Sequence, residues 1–365
     1  MKRILLISGI YFPDIGGPAT YIPKLASRLV QLNYEVKVVS LTDKQNVARL
    51  DEPWQRVFVS RDLSLLRRTI ELVRIIRDSS RTCDYVFANG LFVETALATL
   101  ISKKKVTAKI VGDPVWERAK NKKKINLSIE EFNFESMSIP DKALRIVFKI
   151  AFRSFAKITT PSDGLANIVS SWGLNNVSVI HNGTECMTNE VVKTEFDVVS
   201  ISRLVNWKRV DDLIRACKIA DLSLLVVGDG PEMETLKNLA RNLQANVKFL
   251  GQVDKETSIA CIRKSDIFAL LSSYEGLSFS LIEAMMLKKK ILVSNAAGNV
   301  EVIRDGIDGI VLEEFNPDNI ARNLLKLSGD DTAGNNYKAN SFARAKDRYC
   351  LEKQLDQMIK LILRN

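Results

Sequence analysis

Short apolar runs alternate with stretches of helical periodicity along the whole chain of 365 residues. The first run, Ile4-Leu5-Leu6-Ile7, precedes a loop and a helical pattern over residues 19–31. Because apolar runs of this length are typical of buried strands, the alternation predicts a parallel sheet covered by helices. Further strands of this first series are predicted near residues 36–40, 85–88, 109–112, 158–160 and 177–180.

The series of strands starts again after residue 195, which indicates a second domain. Residues 184–195 show no apolar periodicity and are predicted to be a linker. We therefore expect an α/β protein of two doubly wound, Rossmann-like domains, residues 1–183 and 196–340, facing a central cleft. A C-terminal helix within residues 341–365 is predicted to complete the first domain. The second series of strands is predicted near residues 196–201, 224–228, 247–250, 267–271, 290–293 and 309–312.

Composition favours a cytoplasmic protein without a metal site. Hydrophobic residues make up 46% and charged residues 26%, as in ordinary globular proteins. The five cysteines are scattered without a C-x-x-C pair, which predicts reduced thiols and no zinc site. The single histidine, His181, cannot form a two-histidine metal site. The N-terminal apolar run is too short for a signal peptide, and no run is long enough to span a bilayer.

The excess of positive charge is confined to the first half of the chain. Residues 1–181 contain 28 basic and 17 acidic residues, whereas residues 182–365 contain 25 and 26. Such asymmetry predicts a polyanionic partner, and an anionic membrane is favoured over nucleic acid because no nucleic-acid-binding motif accompanies the charge. A cationic stripe beside an apolar face is predicted between residues 142 and 157, although a helix packed on its sheet explains the same pattern. The stripe consists of Lys142, Arg145, Lys149, Arg153 and Lys157.

The strongest chemical motif joins Glu275 and Glu283 through a segment rich in serine and glycine, directly after a predicted strand. If residues 276–280 open a helix, its N–H groups and dipole would form an anion site. The two carboxylates would lie about 12 Å apart along a helix, too far for the pair about 5 Å apart in a retaining glycosidase. They are placed to bind two ends of one extended ligand. Alternatively, Ser280 and Glu283 form a capping box.

Two further motifs follow predicted strands. Arg203 and Lys208 suit phosphate, although solvated cations beside a turn would give the same pattern. Gly16-Gly17 lies between the first strand and the first helix, where glycine lets the backbone approach a phosphate or sugar closely. The full G-x-G-x-x-G spacing is missing there, so a nicotinamide site is not supported.

Together these motifs resemble the family-4 glycosyltransferases, also called group 1, which have the GT-B fold. The resemblance covers nearly the whole chain, and the order of the motifs is specific. It rests on Gly16-Gly17, on Val179-Ile180-His181-Asn182-Gly183, on Arg203 and Lys208, on Val227-Gly228-Asp229-Gly230-Pro231, on Phe249-Leu250-Gly251-Gln252-Val253, and on Glu275 and Glu283.

The resemblance implies a role for each motif. Arg203 and Lys208 would neutralise the diphosphate of a nucleotide-sugar donor, with UDP- or GDP-sugar favoured, and Glu283 would hold the ribose hydroxyls. Glu275 would contact the donor sugar, and the backbone of Gly276, Leu277 and Ser278 would contact the sugar and the phosphate. The turn from Gly251 to Val253 would border the base, and Gly16 and Gly17 would lie beside the phosphates and the acceptor.

One position departs from the family pattern. Many members carry a histidine near the donor sugar, but here that loop reads Val111-Gly112-Asp113-Pro114. We infer that Asp113 takes the place of the missing group, although aspartate before proline is also a common turn residue. The chain contains no D-x-D motif, so Arg203, Lys208 and a helix N-terminus would have to stabilise the leaving diphosphate without a metal.

The sequence thus predicts a retaining, metal-independent hexosyltransferase that uses a nucleotide sugar and no separate cofactor. Its acceptor is expected to be a glycan, lipid-linked, in the synthesis of cell-surface polysaccharide or glycoconjugate at the inner face of the cell membrane. Two alternatives stay open: a sugar-nucleotide epimerase of the same fold, and a non-catalytic module that binds anions or membranes.

Overall fold

The structure, a computed structural model, divides the chain into two compact units. The first comprises Met1–Ile180 with Lys353–Asn365, and the second comprises His181–Glu352. No described helix combines the length and the apolar composition that crossing a bilayer requires. The structure describes all residues except 13, 15, 44–51, 122–124, 126, 128, 130, 133, 188–191, 330–331 and 365.

The first unit is built on a parallel sheet in the order β3-β2-β1-β4-β5-β6-β7. The strand order reverses between β1 and β4, which defines a topological switch point. Its strands are β1 (Arg3–Ser8), β2 (Glu35–Thr42), β3 (Gln55–Ser60), β4 (Tyr85–Asn89), β5 (Val106–Lys109), β6 (Lys157–Thr160) and β7 (Val177–Val179). Its helices are α1 (Gly17–Gln31), α2 (Leu65–Thr82), α3 (Phe92–Ser102), α4 (Pro114–Asn121), α5 (Ile139–Arg153) and α6 (Asp163–Ser171).

Both faces of this sheet are buried, which explains why its strands are nearly continuous apolar runs. Leu5 and Ile7 of β1 point to one face, where they join a core formed with α2, α3 and α5. Ile4 and Leu6 alternate to the opposite face and are also fully buried. On that opposite face Tyr21 of α1 packs against Phe87 of β4, with ring centroids 6.5 Å apart.

The second unit repeats the design with six parallel strands in the order β10-β9-β8-β11-β12-β13. Its switch point lies between β8 and β11, and apolar clusters cover both faces. Its strands are β8 (Phe196–Ile201), β9 (Leu224–Val227), β10 (Val247–Gly251), β11 (Ser265–Leu270), β12 (Lys290–Ser294) and β13 (Ile310–Leu312). Its helices are α7 (Val210–Ala220), α8 (Met233–Asn242), α9 (Lys255–Arg263), α10 (Phe279–Met286), α11 (Ala297–Val302), α12 (Pro317–Ser328) and α13 (Thr332–Arg348). The predicted fold of two Rossmann-like, parallel-sheet α/β domains is confirmed.

The C-terminal helix predicted within residues 341–365 is in fact two helices, α13 and α14 (Leu351–Leu363). The helical conformation is interrupted at Tyr349 and Cys350, because Cys350 forms a parallel β-bridge with Thr184. The Thr184 N–H donates to the Tyr349 carbonyl at 3.0 Å, and the Leu351 N–H donates to the Thr184 carbonyl at 2.9 Å. These bonds take the place of helical ones. Thr184, which the sequence assigned to a linker, therefore belongs to the second unit, whereas residues 188–191 lie outside the described residues.

Glycine is required where the turns after β8 and β9 meet. A Cβ atom at Gly228, whose φ is +126°, would lie 1.9 Å from the Ser202 carbonyl oxygen. A Cβ atom at Gly230 would lie 2.3 Å from the Leu204 carbonyl oxygen. The Leu204 N–H in turn donates to the Asp229 carbonyl at 2.9 Å. The backbone that carries Arg203 is thereby fixed by a contact that admits no side chain.

We expect Gly228→Ala to lower the free energy of unfolding by about 3–5 kcal/mol, the sum of positive-φ strain and overpacking. Gly306 is the matched control, because its φ is +66° and a Cβ atom there would meet nothing within 4 Å. Gly306→Ala should therefore cost only the strain, about 1–2 kcal/mol. Chemical denaturation of both variants measures the difference, and equal losses would contradict the close contact.

Candidate functional site

The predicted donor-binding motifs of the second unit converge at its switch point. Strands β8 and β11 are hydrogen-bonded neighbours, so the loops that leave their carboxyl ends lie side by side. Arg203 and Lys208 lie on the loop after β8, and Glu275 lies on the loop after β11. The Ser273 N–H donates to the Trp207 carbonyl at 2.7 Å and ties the two loops together.

Lys208 and Glu275 form an ion pair across these loops. The Lys208 Nζ lies 2.5 Å from the Glu275 Oε2, and both side chains are mostly buried. The Ser272 hydroxyl donates to the same carboxylate oxygen at 3.1 Å. The structure therefore brings a predicted phosphate-binding cation into contact with a carboxylate that is predicted to contact the donor sugar, and each fixes the other.

Arg203 differs from Lys208 because its side chain is exposed. Within the described part of the chain its guanidinium has neither a hydrogen-bond nor an ion-pair partner. The next residue, Leu204, is fully buried and anchors the backbone at this point. The result is an accessible guanidinium on a fixed backbone, which suits bidentate binding of a phosphate.

Helix α10 begins within the predicted anion-binding segment. Ser278 is its N-cap, and the Ser278 hydroxyl accepts from the Leu281 N–H at 3.3 Å. The helix thus starts two residues before the position that a capping box of Ser280 and Glu283 would require, so that alternative is wrong. The Ser280 hydroxyl instead donates to the Ile201 carbonyl at 3.1 Å. The first N–H groups of α10 have no acceptor within the helix and point toward the loop end of the sheet.

Glu283 lies in the second turn of α10 and is only 2% exposed. Its Oε1 is paired with the Nζ of Lys255, the first residue of α9. Sequence analysis missed Lys255. Its position directly after the turn from Gly251 to Val253 was the available signal, because that turn was already predicted to border the ligand.

The turn at Gly251 lies beside the turn that follows β9. Gly251 has a φ of +70° and its carbonyl accepts from the Gly228 N–H at 2.8 Å. Val253 is partly buried against the core of the unit, and the Asp254 carboxylate caps α9 by accepting from the Thr257 N–H at 2.7 Å. The backbone of this turn is therefore as firmly held as the loop that carries Arg203.

Two residues that sequence analysis did not assign to the site hold Gly276 and Leu277 in place. A Cβ atom at Gly298 would lie 2.3 Å from the Glu275 carbonyl oxygen, and the Gly298 N–H donates to that oxygen at 3.2 Å. The side-chain amide of Asn182, itself buried, donates to the Leu277 carbonyl at 2.9 Å. The only sequence signal for Gly298 was a glycine in the segment that follows the strand predicted near residues 290–293.

The remaining predicted site residues, Gly16, Gly17 and Asp113, lie in the first unit. Gly16 is the N-cap of α1 with a φ of +153°, and it follows β1 at the switch point of the first sheet. The structure thus places them at the carboxyl edge of their own sheet. Their participation in one site with the second unit stays a prediction.

Asp113 is 1% exposed and both of its carboxylate oxygens are engaged. Its Oδ1 accepts from the N–H groups of Val115 and Trp116 at the start of α4, at 2.9 and 3.1 Å. Its Oδ2 pairs with the guanidinium of Arg145, which is also buried. These contacts give Asp113 a structural role as helix cap and ion-pair partner, so action on a substrate would require the pair to open.

A row of buried polar side chains crosses the carboxyl edge of the first sheet. Ser8 is in register with Ser40 on one side and with Asn89 on the other, and Lys109 is in register with Thr159. All of these residues are buried. The Lys109 Nζ lies 4.2 Å from the centroid of the Tyr21 ring, and burial lowers the pKa of Lys109 to about 7.

Lys109→Met should raise the stability of the protein, because the unfolded chain binds a proton that the buried amine gives up above about pH 7. In the wild type, the free-energy cost of burying Lys109 increases as the pH falls from the ordinary lysine pKa toward 7. Below pH 7 this cost is constant. Thermal unfolding should therefore show a gain on the order of a few kcal/mol at pH 7 that narrows toward pH 10. A gain independent of pH would contradict this account.

Arg145→Met should cost about 3–5 kcal/mol of unfolding free energy, because it leaves the Asp113 carboxylate buried without its counter-charge. The double variant Asp113→Asn/Arg145→Met, which removes both charges, should recover most of this loss. Denaturation of the two variants tests the structural role. A folded but inactive double variant would show that Asp113 also acts in the reaction.

Comparison with known proteins shows that the chain is similar to glycosyltransferases. Residues 187–344 match the family model of Glycosyl transferases group 1. The chain is 26% identical to an uncharacterized glycosyltransferase of Methanocaldococcus jannaschii, over 99% of this chain and 98% of that relative. It is 33% identical over 141 residues, 35% of this chain and 37% of the relative, to the GDP-mannose-dependent monoacylated alpha-(1-6)-phosphatidylinositol monomannoside mannosyltransferase of Corynebacterium glutamicum.

The fold has counterparts among solved structures. The crystal structure of Anabaena HepE in complex with UDP and glucose superimposes with a TM-score of 0.79 at 19% identity, covering 99% of both chains. At this level of identity the likeness shows the fold alone. The chain therefore has the GT-B fold, and its residues 187–344 are similar to the group 1 glycosyltransferases.

Proposed function

We propose that this protein is a retaining glycosyltransferase that moves a hexosyl group from a nucleoside-diphosphate sugar to a glycan acceptor. The observation that carries the proposal is the convergence of Arg203, the Lys208–Glu275 pair and the start of α10 on adjacent strand ends. An accessible guanidinium beside a helix N-terminus suits a diphosphate. The bound UDP in the HepE crystal structure supports a nucleotide-sugar donor.

The protein itself would neutralise the negative charge of the leaving diphosphate. Arg203 would bind it in bidentate fashion, Lys208 would supply a compact charge, and the N–H groups from Phe279 onward would donate hydrogen bonds. Because these donors are fixed before the donor binds, they would stabilise the charge that develops as the glycosidic bond breaks. We therefore propose that transfer needs neither a metal nor a separate cofactor.

Glu283 and Lys255 would recognise the nucleoside. A carboxylate accepts hydrogen bonds from two vicinal hydroxyls, and the ion pair with Lys255 holds the buried Glu283 carboxylate in position for that purpose. The turn from Gly251 to Val253 would border the base. We propose UDP or GDP as the nucleotide.

Glu275 would act at the donor sugar, because its carboxylate lies beside the cation that would contact the phosphate. For the retaining reaction we propose front-face attack, in which an acceptor hydroxyl attacks the anomeric carbon from the side of the leaving group. The bond to the diphosphate breaks, and the hydroxyl proton passes to the departing phosphate oxygen. Asp113 is proposed to support the sugar from the first unit once its pair with Arg145 opens.

The acceptor is proposed to be lipid-linked, in cell-surface polysaccharide or glycoconjugate synthesis in the cytoplasm. The name of the Corynebacterium glutamicum relative places its acceptor among phosphatidylinositol mannosides, which supports a lipid-linked acceptor here. The excess of basic residues in the first half of the chain would favour an anionic membrane on which such an acceptor resides.

A thermal-shift panel of UDP, GDP and ADP, each with and without Mg²⁺, should show a metal-independent shift with one nucleotide. Arg203→Ala and Glu283→Ala should each weaken that binding about tenfold or more, since each removes a charge-assisted contact. Arg215→Ala is the matched control, because Arg215 is an exposed cation on the surface of α7. Its shift should equal that of the wild type.

Product analysis separates the remaining alternatives. A transferase releases nucleoside diphosphate only as sugar appears on an acceptor, whereas an epimerase changes the sugar nucleotide without one. A chain that binds no nucleotide under any of these conditions would refute the transferase and favour the anion-binding module.

A further inference from the structure

The outer face of α5 is apolar, although the helix as a whole is strongly basic. Ile139, Ile146 and Ile150 are 84%, 48% and 62% exposed, and Val147 is exposed as well. Ala143 lies on the same side between them. At 3.6 residues per turn these positions form one continuous stripe along the helix. The core of the unit does not account for this stripe, because it points away from the sheet.

The opposite face of α5 explains why the isoleucines cannot turn inward. Arg145 is buried in its pair with Asp113, and Phe152 packs in the core between sheet and helix. The Asp141 carboxylate, also buried, accepts from the Ser138 hydroxyl at 2.5 Å. These contacts fix the rotation of the helix. Arg145 is therefore wrong as a member of the predicted cationic stripe, and Lys157 is wrong too because it lies in β6.

The other three predicted cations do line the apolar stripe. Lys142, Lys149 and Arg153 follow one another at intervals of seven and four residues, which places them along one edge of the stripe. The Lys142 Nζ lies 5.4 Å from the ring centroid of Phe134, which is itself exposed. A helix with an aliphatic face and cations along its boundary matches the pattern of helices that lie in a membrane interface.

Helix α3 extends this surface. It packs beside α5 on the same face of the sheet, with the rings of Phe92 and Phe152 5.2 Å apart. Its outer side exposes three large aliphatic residues at helical spacing, and lysines follow its C-terminus. These exposed residues are Leu97, Leu100, Ile101, Lys103 and Lys105.

We propose that the outer faces of α3 and α5 dock on a bilayer that contains anionic lipids. Aliphatic side chains would enter the interface while the flanking lysines and arginine meet lipid phosphates. Interfaces with protein partners are instead enriched in aromatic residues, methionine and arginine, whereas the apolar residues of this surface are almost all Ile, Leu and Val. The observations that support docking come from the first unit alone and do not depend on the proposed function. Only the use of this surface to present a lipid-linked acceptor rests on that function.

Flotation with lipid vesicles tests the proposal without donor or acceptor. The wild type should float at low salt with vesicles of phosphatidylcholine and phosphatidylglycerol, and much less with phosphatidylcholine alone. Ile146→Asp/Ile150→Asp should reduce binding to the mixed vesicles at least tenfold. Lys142→Gln/Lys149→Gln should reduce it about fivefold per charge. Ile219→Asp is the matched control, because Ile219 is an exposed isoleucine on α7 of the second unit, and it should float like the wild type.

Three results would overturn the proposal. The first is a wild type that floats with neither vesicle type, and the second is a double aspartate variant that floats as well as the wild type. The third is light scattering that shows a dimer abolished by Ile146→Asp/Ile150→Asp, which would assign the face to a second copy of the chain. Unchanged thermal unfolding of the variants excludes misfolding as the cause of lost flotation. Vesicle binding without any nucleotide binding would leave the docking surface intact and refute only the transferase.

Discussion

The candidate donor site depends on backbone contacts that leave no room for a side chain. Gly228 meets the Ser202 carbonyl directly before Arg203, and Gly298 meets the Glu275 carbonyl directly before Gly276. Each loop of the switch point is thus held by a glycine outside it, Gly228 in the turn after β9 and Gly298 in the first turn of α11. The charged groups project from a backbone that is fixed without any ligand. Such preorganisation is what makes fixed charges effective against charge that develops during a reaction.

The sheets and the principal charged residues could be predicted because a local sequence pattern indicates each of them. Apolar runs mark buried strands, and the segments that follow two of them carry Arg203 and Lys208 after β8 and Glu275 and Glu283 after β11. The pairing of Lys208 with Glu275 follows once β8 and β11 are neighbours. For Lys255 the turn from Gly251 to Val253 indicates only a place near the ligand, since its contact with Glu283 depends on how α9 and α10 pack.

Asp113 and Arg145 show a second limit of sequence analysis. The helical spacing of Arg145 predicts a place in a surface stripe, and the position of Asp113, where many family members carry a histidine, predicts a reactive loop. In the structure each neutralises the other inside the first unit, and the isoleucines of α5 face outward as a consequence. Helical periodicity indicates that a helix has two faces. Which face is buried depends on the residues of other elements that pair with it, as Asp113 pairs with Arg145.

The bridge between Thr184 and Cys350 has a consequence for the modular construction of the chain. It joins the segment that enters the second unit to the segment that leaves it, so the two ends of residues 181–352 are hydrogen-bonded neighbours. The second unit is therefore inserted into the sequence of the first. Such an insertion can be excised or transplanted as one gene segment, because its termini already meet without any added linker.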